Sequence, residues 1–240
     1  MRPDISVSDE GKLPDFAVIF DSDGVVVDSE PFSLAAFREA MAEQDVLLND
    51  GDVMANCGLT DADICQYVLR KFGKQVDVDI FHARKQELYE QKVKKGRLEP
   101  CEGVEAFLLT LRSENIPYAL ASSGSPRKIR FNLKRVGLLD RFPVVISGEH
   151  VKQGKPQPDI FLLTAKRLGV PRDRCIVIED SLNGIEAAHR AGMICVAVAG
   201  TFTSQALSSA DFVVDSLAHL RIEDIKSLMY NRKNHKGGSL

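Results

Sequence analysis

Short runs of apolar residues alternate with longer amphipathic stretches along most of the chain. Each apolar run holds three to five residues, which is typical of strands buried on both faces of a sheet. Amphipathic stretches that begin near a proline and end before a glycine are typical of helices. The alternation predicts an α/β fold, a Rossmann-like parallel sheet with helices on both faces. The predicted strands are Phe16–Phe20, Tyr118–Ala121, Val144–Ile146, Cys175–Ile178, Ile194–Val198 and Phe212–Val214.

One long segment, residues 31–96, interrupts this alternation between the first two predicted strands. It contains no convincing strand and shows helical patterns instead. A helical block inserted there predicts a separate subdomain, with hinges where the chain enters and leaves it, near Ser29–Phe32 and Arg97–Cys101. The predicted helices of the insertion are Phe32–Glu43, Asp61–Lys71 and Asp79–Lys95. In the remaining chain, one helix is predicted from near Arg127 to before Gly137, a second from Pro158 to before Gly169, and a third from Leu182 to before Gly192.

These patterns divide the chain into three kinds of region. Residues 15–31 and 97–229 are predicted to form an α/β core, and residues 32–96 form a helical insertion. Residues 1–14 and 230–240 are predicted to be flexible tails, because chain ends without packing partners are seldom ordered.

Polar residues with chemical potential follow three of the predicted strands. Asp21 and Asp23 come after the first strand, Ser122-Ser123-Gly124 after the second, and Glu179-Asp180 after the fourth, while Lys155 precedes a predicted helix. Ligands bind at the carboxyl ends of strands in open α/β sheets. Buried carboxylates there are costly unless a cation or hydrogen bonds compensate them. An acidic turn after a strand explains one such pair alone, but the whole set predicts a ligand site at one sheet edge.

The motifs that hold these residues resemble those of one known family. Asp21-Ser22-Asp23-Gly24, Ser122, Lys155 within Gly154-Lys155-Pro156-Gln157-Pro158-Asp159, and Glu179-Asp180 occur in the order found in haloacid dehalogenase superfamily phosphohydrolases. The chain is similar to the branch that contains β-phosphoglucomutase and small sugar-phosphate phosphatases. The resemblance extends from about Phe16 to Met229, and it implies that the insertion is a helical cap over the active site.

The resemblance also implies a role for each motif residue. Asp21 is expected to be the nucleophile that forms an aspartyl-phosphate, and Asp23 the general acid and base. Phosphate is expected to bind to Ser122, Ser123, Gly124 and Lys155. A Mg²⁺ cofactor is expected on Asp21, Asp180, the backbone carbonyl of Asp23 and, through water, Glu179, because oxygen-only ligands suit that ion. Arg127 and Lys128 are expected to be solvated surface residues.

The composition limits the partners and the compartment. Apolar residues make up 44% of the 240 residues, and the formal net charge is -3, so no overall field favours nucleic acid or an anionic membrane. The first residues lack the apolar region of a signal peptide, and no apolar run approaches the ~18 residues of a membrane span. The five cysteines form no CxxC pair. A cytoplasmic protein is expected, with a monomer as the default state.

The expected function is hydrolysis of a small phosphorylated metabolite, with a sugar phosphate as the expected substrate. Two other functions compete with this one. A phosphosugar mutase would carry a histidine twelve residues after the nucleophile and an arginine in the first cap loop. This chain has Ser33 and Asp61 at those places, which favours water as the phosphoryl acceptor. A non-catalytic binding or regulatory protein of the same fold has no support, because all four motif positions are filled.

Overall fold

The computed structural model describes the backbone of residues 15–236 and the side chains of residues 15–232. Its core is a parallel sheet of six strands, which confirms the predicted α/β fold. The order across the sheet is β3-β2-β1-β4-β5-β6, the order of doubly wound folds. The strands are β1 (Ala17–Phe20), β2 (Tyr118–Ser122), β3 (Val145–Ser147), β4 (Cys175–Glu179), β5 (Ile194–Val198) and β6 (Phe212–Val214).

Strand β1 lies at the centre of the sheet, and its side chains enter both apolar layers. Val18 and Phe20 belong to one layer, and Ala17 and Ile19 belong to the other. The ring of Phe20 packs edge-on against Phe107, with the ring centres 6.0 Å apart. Because both faces are covered, the strand is apolar at every position. Burial on both sides fixes the end of β1, and therefore the position of Asp21.

Four helices occupy the segment between β1 and β2. They are α1 (Glu30–Ala42), α2 (Asp50–Ala55), α3 (Asp61–Phe72) and α4 (Val78–Lys95). Helices α1 and α4 pack together through Phe37 and Phe81, whose ring centres are 6.1 Å apart. Helix α2 was not predicted from the apolar pattern, since it is only six residues long. A reciprocal cap between Asn49 and Asp52 begins it instead.

The remaining helices are α5 (Val104–Ser113), α6 (Pro126–Arg135), α7 (Asp159–Leu168), α8 (Leu182–Arg190) and α9 (Ile222–Lys236). The predicted core ends at residue 229, whereas α9 continues to Lys236. Residues 230–236 of the predicted tail are therefore helical, and helix-permissive Arg and Lys residues extend the helix without an apolar face. The other predicted tail residues, 1–14 and 237–240, lie outside the described residues. No helix within residues 15–236 is both long and apolar enough to cross a membrane.

Candidate active site

A cavity of about 340 Å³ lies between the carboxyl ends of the central strands and the helical insertion. The core contributes Asp21, Asp23, Asp180 and the Ser122-Ser123-Gly124 turn to its lining. The insertion contributes residues of α1, α3 and α4 and the loop before α3. Six of the eight predicted site residues therefore line one cavity. The other two, Lys155 and Glu179, lie behind Asp21 and contact it or each other.

Lys155 joins the carboxylates of Asp21 and Glu179. Its Nζ lies 2.5 Å from Asp21 Oδ1 and 2.5 Å from Glu179 Oε1, and only 1% of its side chain is exposed. Burial raises the pKa of Asp21 to about 7, since the attraction of Lys155 only partly offsets lost hydration and Glu179 adds repulsion. The lysine holds the carboxylate of Asp21 in one orientation at the floor of the cavity.

Glu179 has all of its hydrogen-bonding capacity directed into the protein. Its Oε2 accepts hydrogen bonds from the amides of Asp180 and Ser181, each at 2.8 Å, and from the Ser181 hydroxyl at 2.9 Å. Gly184 makes room for it, because a Cβ at that position would lie 1.9 Å from the Glu179 carboxyl carbon. Glu179 thus positions Lys155 and the start of α8. Because its oxygens are occupied by these contacts, a water-mediated contact with a metal fits it better than direct ligation.

Asp23 is held by three polar neighbours. The Ser29 hydroxyl donates to its Oδ1, Lys128 Nζ lies 2.9 Å from its Oδ2, and Asn132 Nδ2 lies 3.4 Å from Oδ1. Burial opposes ionisation of Asp23, but the Lys128 charge and the Ser29 hydrogen bond outweigh it and hold the pKa of Asp23 below its ordinary value. The side chain is therefore oriented for proton exchange with a group in the cavity.

Asp180 completes the set of acidic groups around the cavity floor. Its Oδ2 accepts a hydrogen bond of 2.5 Å from the Thr201 hydroxyl. Gly24 has a φ of +77°, and a Cβ there would lie 2.0 Å from the same oxygen, so only glycine allows this approach. Burial, together with repulsion from Glu179, Glu30 and Asp21, raises the pKa of Asp180 well above its ordinary value.

The carboxylate oxygens at the cavity floor suit a hard divalent cation as ligands. The carboxylates of Asp21 and Asp180 are both buried, and their pKa values are raised by burial and by neighbouring carboxylates. A divalent cation would offset this excess of negative charge, and oxygen ligands are those that Mg²⁺ prefers. Among the described residues, no group of three or more His, Cys, Asp or Glu side chains is arranged to hold a metal. The candidate ligands are thus these two carboxylates with the Asp23 backbone carbonyl.

The Ser122-Ser123-Gly124 turn forms one wall of the cavity. The Gly124 amide donates to the Ser122 hydroxyl oxygen at 3.1 Å, which leaves the hydroxyl proton of Ser122 free to donate to a phosphate oxygen. Ser123 instead donates its hydroxyl to the carbonyl of Gly58 at 2.8 Å. Ser122 is therefore placed for the predicted phosphate contact, whereas Ser123 connects the core to the insertion.

Two further hydrogen bonds hold the insertion over the cavity. Asn183 Nδ2 donates to the carbonyl of Cys57 at 2.8 Å, and the Tyr89 hydroxyl donates to Asn132 Oδ1 at 2.7 Å. The contacts join loop and helix residues of the insertion to helices α8 and α6 of the core. The Tyr89–Asn132 hydrogen bond is buried, so it holds the insertion against the core where water does not compete.

Lys128 is not a solvated surface residue, and that prediction was wrong. Only 16% of its side chain is exposed, and its Nζ contacts Asp23 and the Ser33 hydroxyl, the latter at 3.0 Å. It also lies 5.0 Å from the centre of the Tyr89 ring. Lys128 and the buried Asn132 are four residues apart on α6, so they share one face of the helix. That spacing is the sequence signal that could have found it.

The roof of the cavity carries a second ion-paired group that the sequence analysis did not find. His82 Nδ1 lies 2.6 Å from Asp61 Oδ2. Asp61 also forms an ion pair with Lys85. The hydrogen bond to Asp61 raises the pKa of His82 above its ordinary value, although partial burial and Lys85 oppose it. Burial and the nearby Asp23 charge raise the pKa of Glu30, which also faces the cavity, to about 7. These residues come together only through the packing of the helices.

A family model described as haloacid dehalogenase-like hydrolase matches residues 18–198 of the chain. The phosphorylated carbohydrates phosphatase of Thermotoga maritima is 32% identical over 177 residues, which cover 74% of this chain and 82% of that protein. The chloroplastic protein SUPPRESSOR OF QUENCHING 1 of Arabidopsis thaliana is 34% identical over 226 residues; the match covers 92% of this chain but 21% of that protein. The structure of β-phosphoglucomutase from Clostridium difficile has a TM-score of 0.80 and 26% identity, and the match covers 90% of this chain and 97% of that one.

Proposed function

The chain belongs to the haloacid dehalogenase-like hydrolase family and is a phosphatase, and from this premise we propose that it hydrolyses a small sugar phosphate with Mg²⁺ as cofactor and Asp21 as nucleophile. The observation that carries the proposal is the contact of Lys155 with Asp21 at the cavity floor. Lys155 orients one carboxylate oxygen, so the other can face a phosphorus atom in the cavity. Asp23, two residues further on, lies within reach of the leaving oxygen.

The first half of the reaction transfers the phosphoryl group to the protein. An oxygen of Asp21 forms a bond to phosphorus while the bond from phosphorus to the sugar oxygen breaks. Protonated Asp23 gives its proton to the departing oxygen. The Ser122 hydroxyl donates to a phosphoryl oxygen, and the charge of Lys155, buried behind Asp21, stabilises the added negative charge at longer range. Because Lys128 favours the ionised form of Asp23, Asp23 must take up a proton before this step.

The second half releases phosphate. Asp23, now ionised, takes a proton from a water molecule, whose oxygen forms a bond to phosphorus. The bond between phosphorus and Asp21 breaks, which restores the Asp21 carboxylate. The charge of Lys128 favours the form of Asp23 that this step requires. When bound by Asp21, Asp180 and the Asp23 carbonyl, Mg²⁺ would supply positive charge that reduces repulsion between the Asp21 carboxylate and the phosphate.

Two features of the insertion favour hydrolysis over a mutase reaction. Ser33 occupies the place where a mutase would need a base, and its hydroxyl oxygen accepts a hydrogen bond from Lys128. Asp61 stands where a mutase would need a cation to hold a second phosphate, and its carboxylate, already paired with Lys85, offers none. The relative from Thermotoga maritima acts on phosphorylated carbohydrates, as its name states. These observations support a sugar monophosphate as substrate and water as acceptor, and the insertion, residues 32–96, as the selective cap.

The test is phosphate release from a panel of sugar monophosphates with and without Mg²⁺. We expect wild type to release phosphate only with the metal, and Asp21→Asn to lose at least about a thousandfold in kcat, since covalent catalysis is removed. Asp28→Asn is the matched control, because Asp28 follows the same strand but is exposed. Full activity in excess chelator would contradict the metal requirement, and an active Asp21→Asn variant would contradict the nucleophile.

A further inference from the structure

Glu30 is a cavity carboxylate that the reaction described above does not use. It lies at the first position of α1, lines the cavity and is only partly exposed. Within residues 15–232 it makes no hydrogen bond or ion pair, and only longer-range charges act on it. In contrast, Asp23 and Asp61 are each paired with a lysine. Glu30 is therefore free to accept or donate a hydrogen bond to a bound molecule.

The same turn of α1 places other groups beside Glu30. Ser33 is three residues further on, which puts it on the same face of the helix, and both line the cavity. Ser33 accepts from Lys128, so its own proton remains available. Leu34 and Phe37 continue the lining along this face. The wall thus offers hydrogen-bonding groups at one end and an apolar surface at the other, as a polyol with C–H and O–H groups requires.

The charge around the cavity opposes a second anionic group. Seven residues of its lining are Asp or Glu, whereas three are Lys and one, His82, is paired with Asp61. Lys128 and Lys85 are already paired with Asp23 and Asp61, and Lys152 is exposed. A second phosphate or a carboxylate on the substrate would have to approach these acids without an unpaired buried lysine among the described residues to receive it.

We infer that Glu30 determines substrate specificity by binding hydroxyl groups of an uncharged polyol tail of the substrate. The cavity also rejects phosphate esters that carry a second anionic group. Both statements rest on the proposed phosphatase function. A carboxylate is a common partner of sugar hydroxyls in proteins, and hydrogen bonds to a charged group are strong. A site that binds a substrate hydroxyl by a hydrogen bond discriminates sharply against an analogue without that hydroxyl, because the buried polar group of the site is then left without a partner.

The experiment compares kcat/KM for three probes: fructose 1-phosphate, fructose 1,6-bisphosphate and p-nitrophenyl phosphate, which has no hydroxyl groups. Wild type is expected to prefer the monophosphate over both other probes. In Glu30→Ala, the ratio of kcat/KM for fructose 1-phosphate to that for p-nitrophenyl phosphate should fall roughly tenfold to a hundredfold, the size of a lost charge-assisted hydrogen bond. Glu149→Ala removes an exposed carboxylate at the same cavity and should keep the wild-type ratio.

The outcomes separate the two proposals. A wild type that releases phosphate from none of the probes contradicts the phosphatase function and the inference with it. An active wild type whose ratio is unchanged in Glu30→Ala contradicts only the role of Glu30. A wild type that prefers the bisphosphate contradicts the charge argument. A thermal unfolding midpoint near that of wild type shows that the variant is folded, and Glu30→Gln, which retains an acceptor oxygen, should restore part of the ratio.

Discussion

The ammonium of Lys128 lies 2.9 Å from the Asp23 carboxylate, although 105 positions separate the two residues in the chain. Lys128 stands in the first turns of α6, and Asp23 stands in the turn after β1. The contact is shielded from water, because both side chains are more than four-fifths buried. A lysine of the core thereby fixes the charge and the orientation of the proposed acid and base.

This contact leads to the first prediction. Lys128→Met keeps the apolar stem but removes the charge, so we expect kcat to fall roughly tenfold to a hundredfold, a part of what acid–base catalysis contributes. Ser29 and Asn132 still hold Asp23, so activity is not abolished. Arg127→Met is the control, because Arg127 is exposed and pairs with Glu90 instead. Steady-state kinetics decide, and equal kcat values for the two variants would argue against the role of Lys128.

The second prediction concerns Gly184. A Cβ there would meet the Glu179 carboxyl group at 1.9 Å, so Gly184→Ala should displace Glu179 and with it Lys155. We expect a loss of about 1–3 kcal/mol in the free energy of unfolding, as in other overpacked cores, together with most of the activity. Gly200→Ala serves as the control, since a Cβ there meets no atom within 4 Å. Chemical denaturation of both variants measures the difference, and equal stability would contradict the packing argument.

The third prediction concerns the pH dependence of stability. Asp61 raises the pKa of His82 above its ordinary value of 6.5, so protonated His82 stabilises the folded state. That contribution is complete below pH 6.5 and is lost as the pH rises through the raised pKa. Lys85 and Glu149 also act on the ring. We expect the difference in thermal midpoint between wild type and His82→Gln to shrink as the pH rises above 6.5. A difference that grows with pH would contradict this pairing.

The sequence predicts the sheet, and it predicts which polar residues meet at one edge of it, for a physical reason. Strands buried on both faces are apolar throughout, so their ends are visible, and Asp21, Ser122 and Glu179 are found by their place at those ends. Lys155 lies in a recognisable motif. The residues that were missed depend on distant packing. Lys128 reaches Ser33, 95 positions away; its spacing from Asn132 marks the shared helix face but not this distant partner.

The insertion shows more clearly that contacts between residues distant in the chain cannot be predicted from local sequence patterns. Its longer helices are visible in the apolar pattern, but α2 depends on a cap at Asn49. The pairing of Asp61 with His82 joins two helices of the insertion, and it could not be inferred from either helix alone. Glu30 looks like an ordinary acidic residue in the first turn of a helix, where acids are common. Only the folded structure shows that it lines the cavity.

The central claim is that Asp21 carries the phosphoryl group during turnover, and a chemical trap tests it most directly. Borohydride reduces an acyl phosphate to an alcohol, so a phosphorylated Asp21 would become homoserine. Enzyme mixed with fructose 1-phosphate and Mg²⁺ should be quenched into borohydride, digested and sequenced by mass spectrometry. We predict homoserine at position 21, dependent on substrate and metal, with Asp23 and Asp28 unchanged. An enzyme that turns over under these conditions yet yields only aspartate at position 21, or homoserine at another position, would contradict the account.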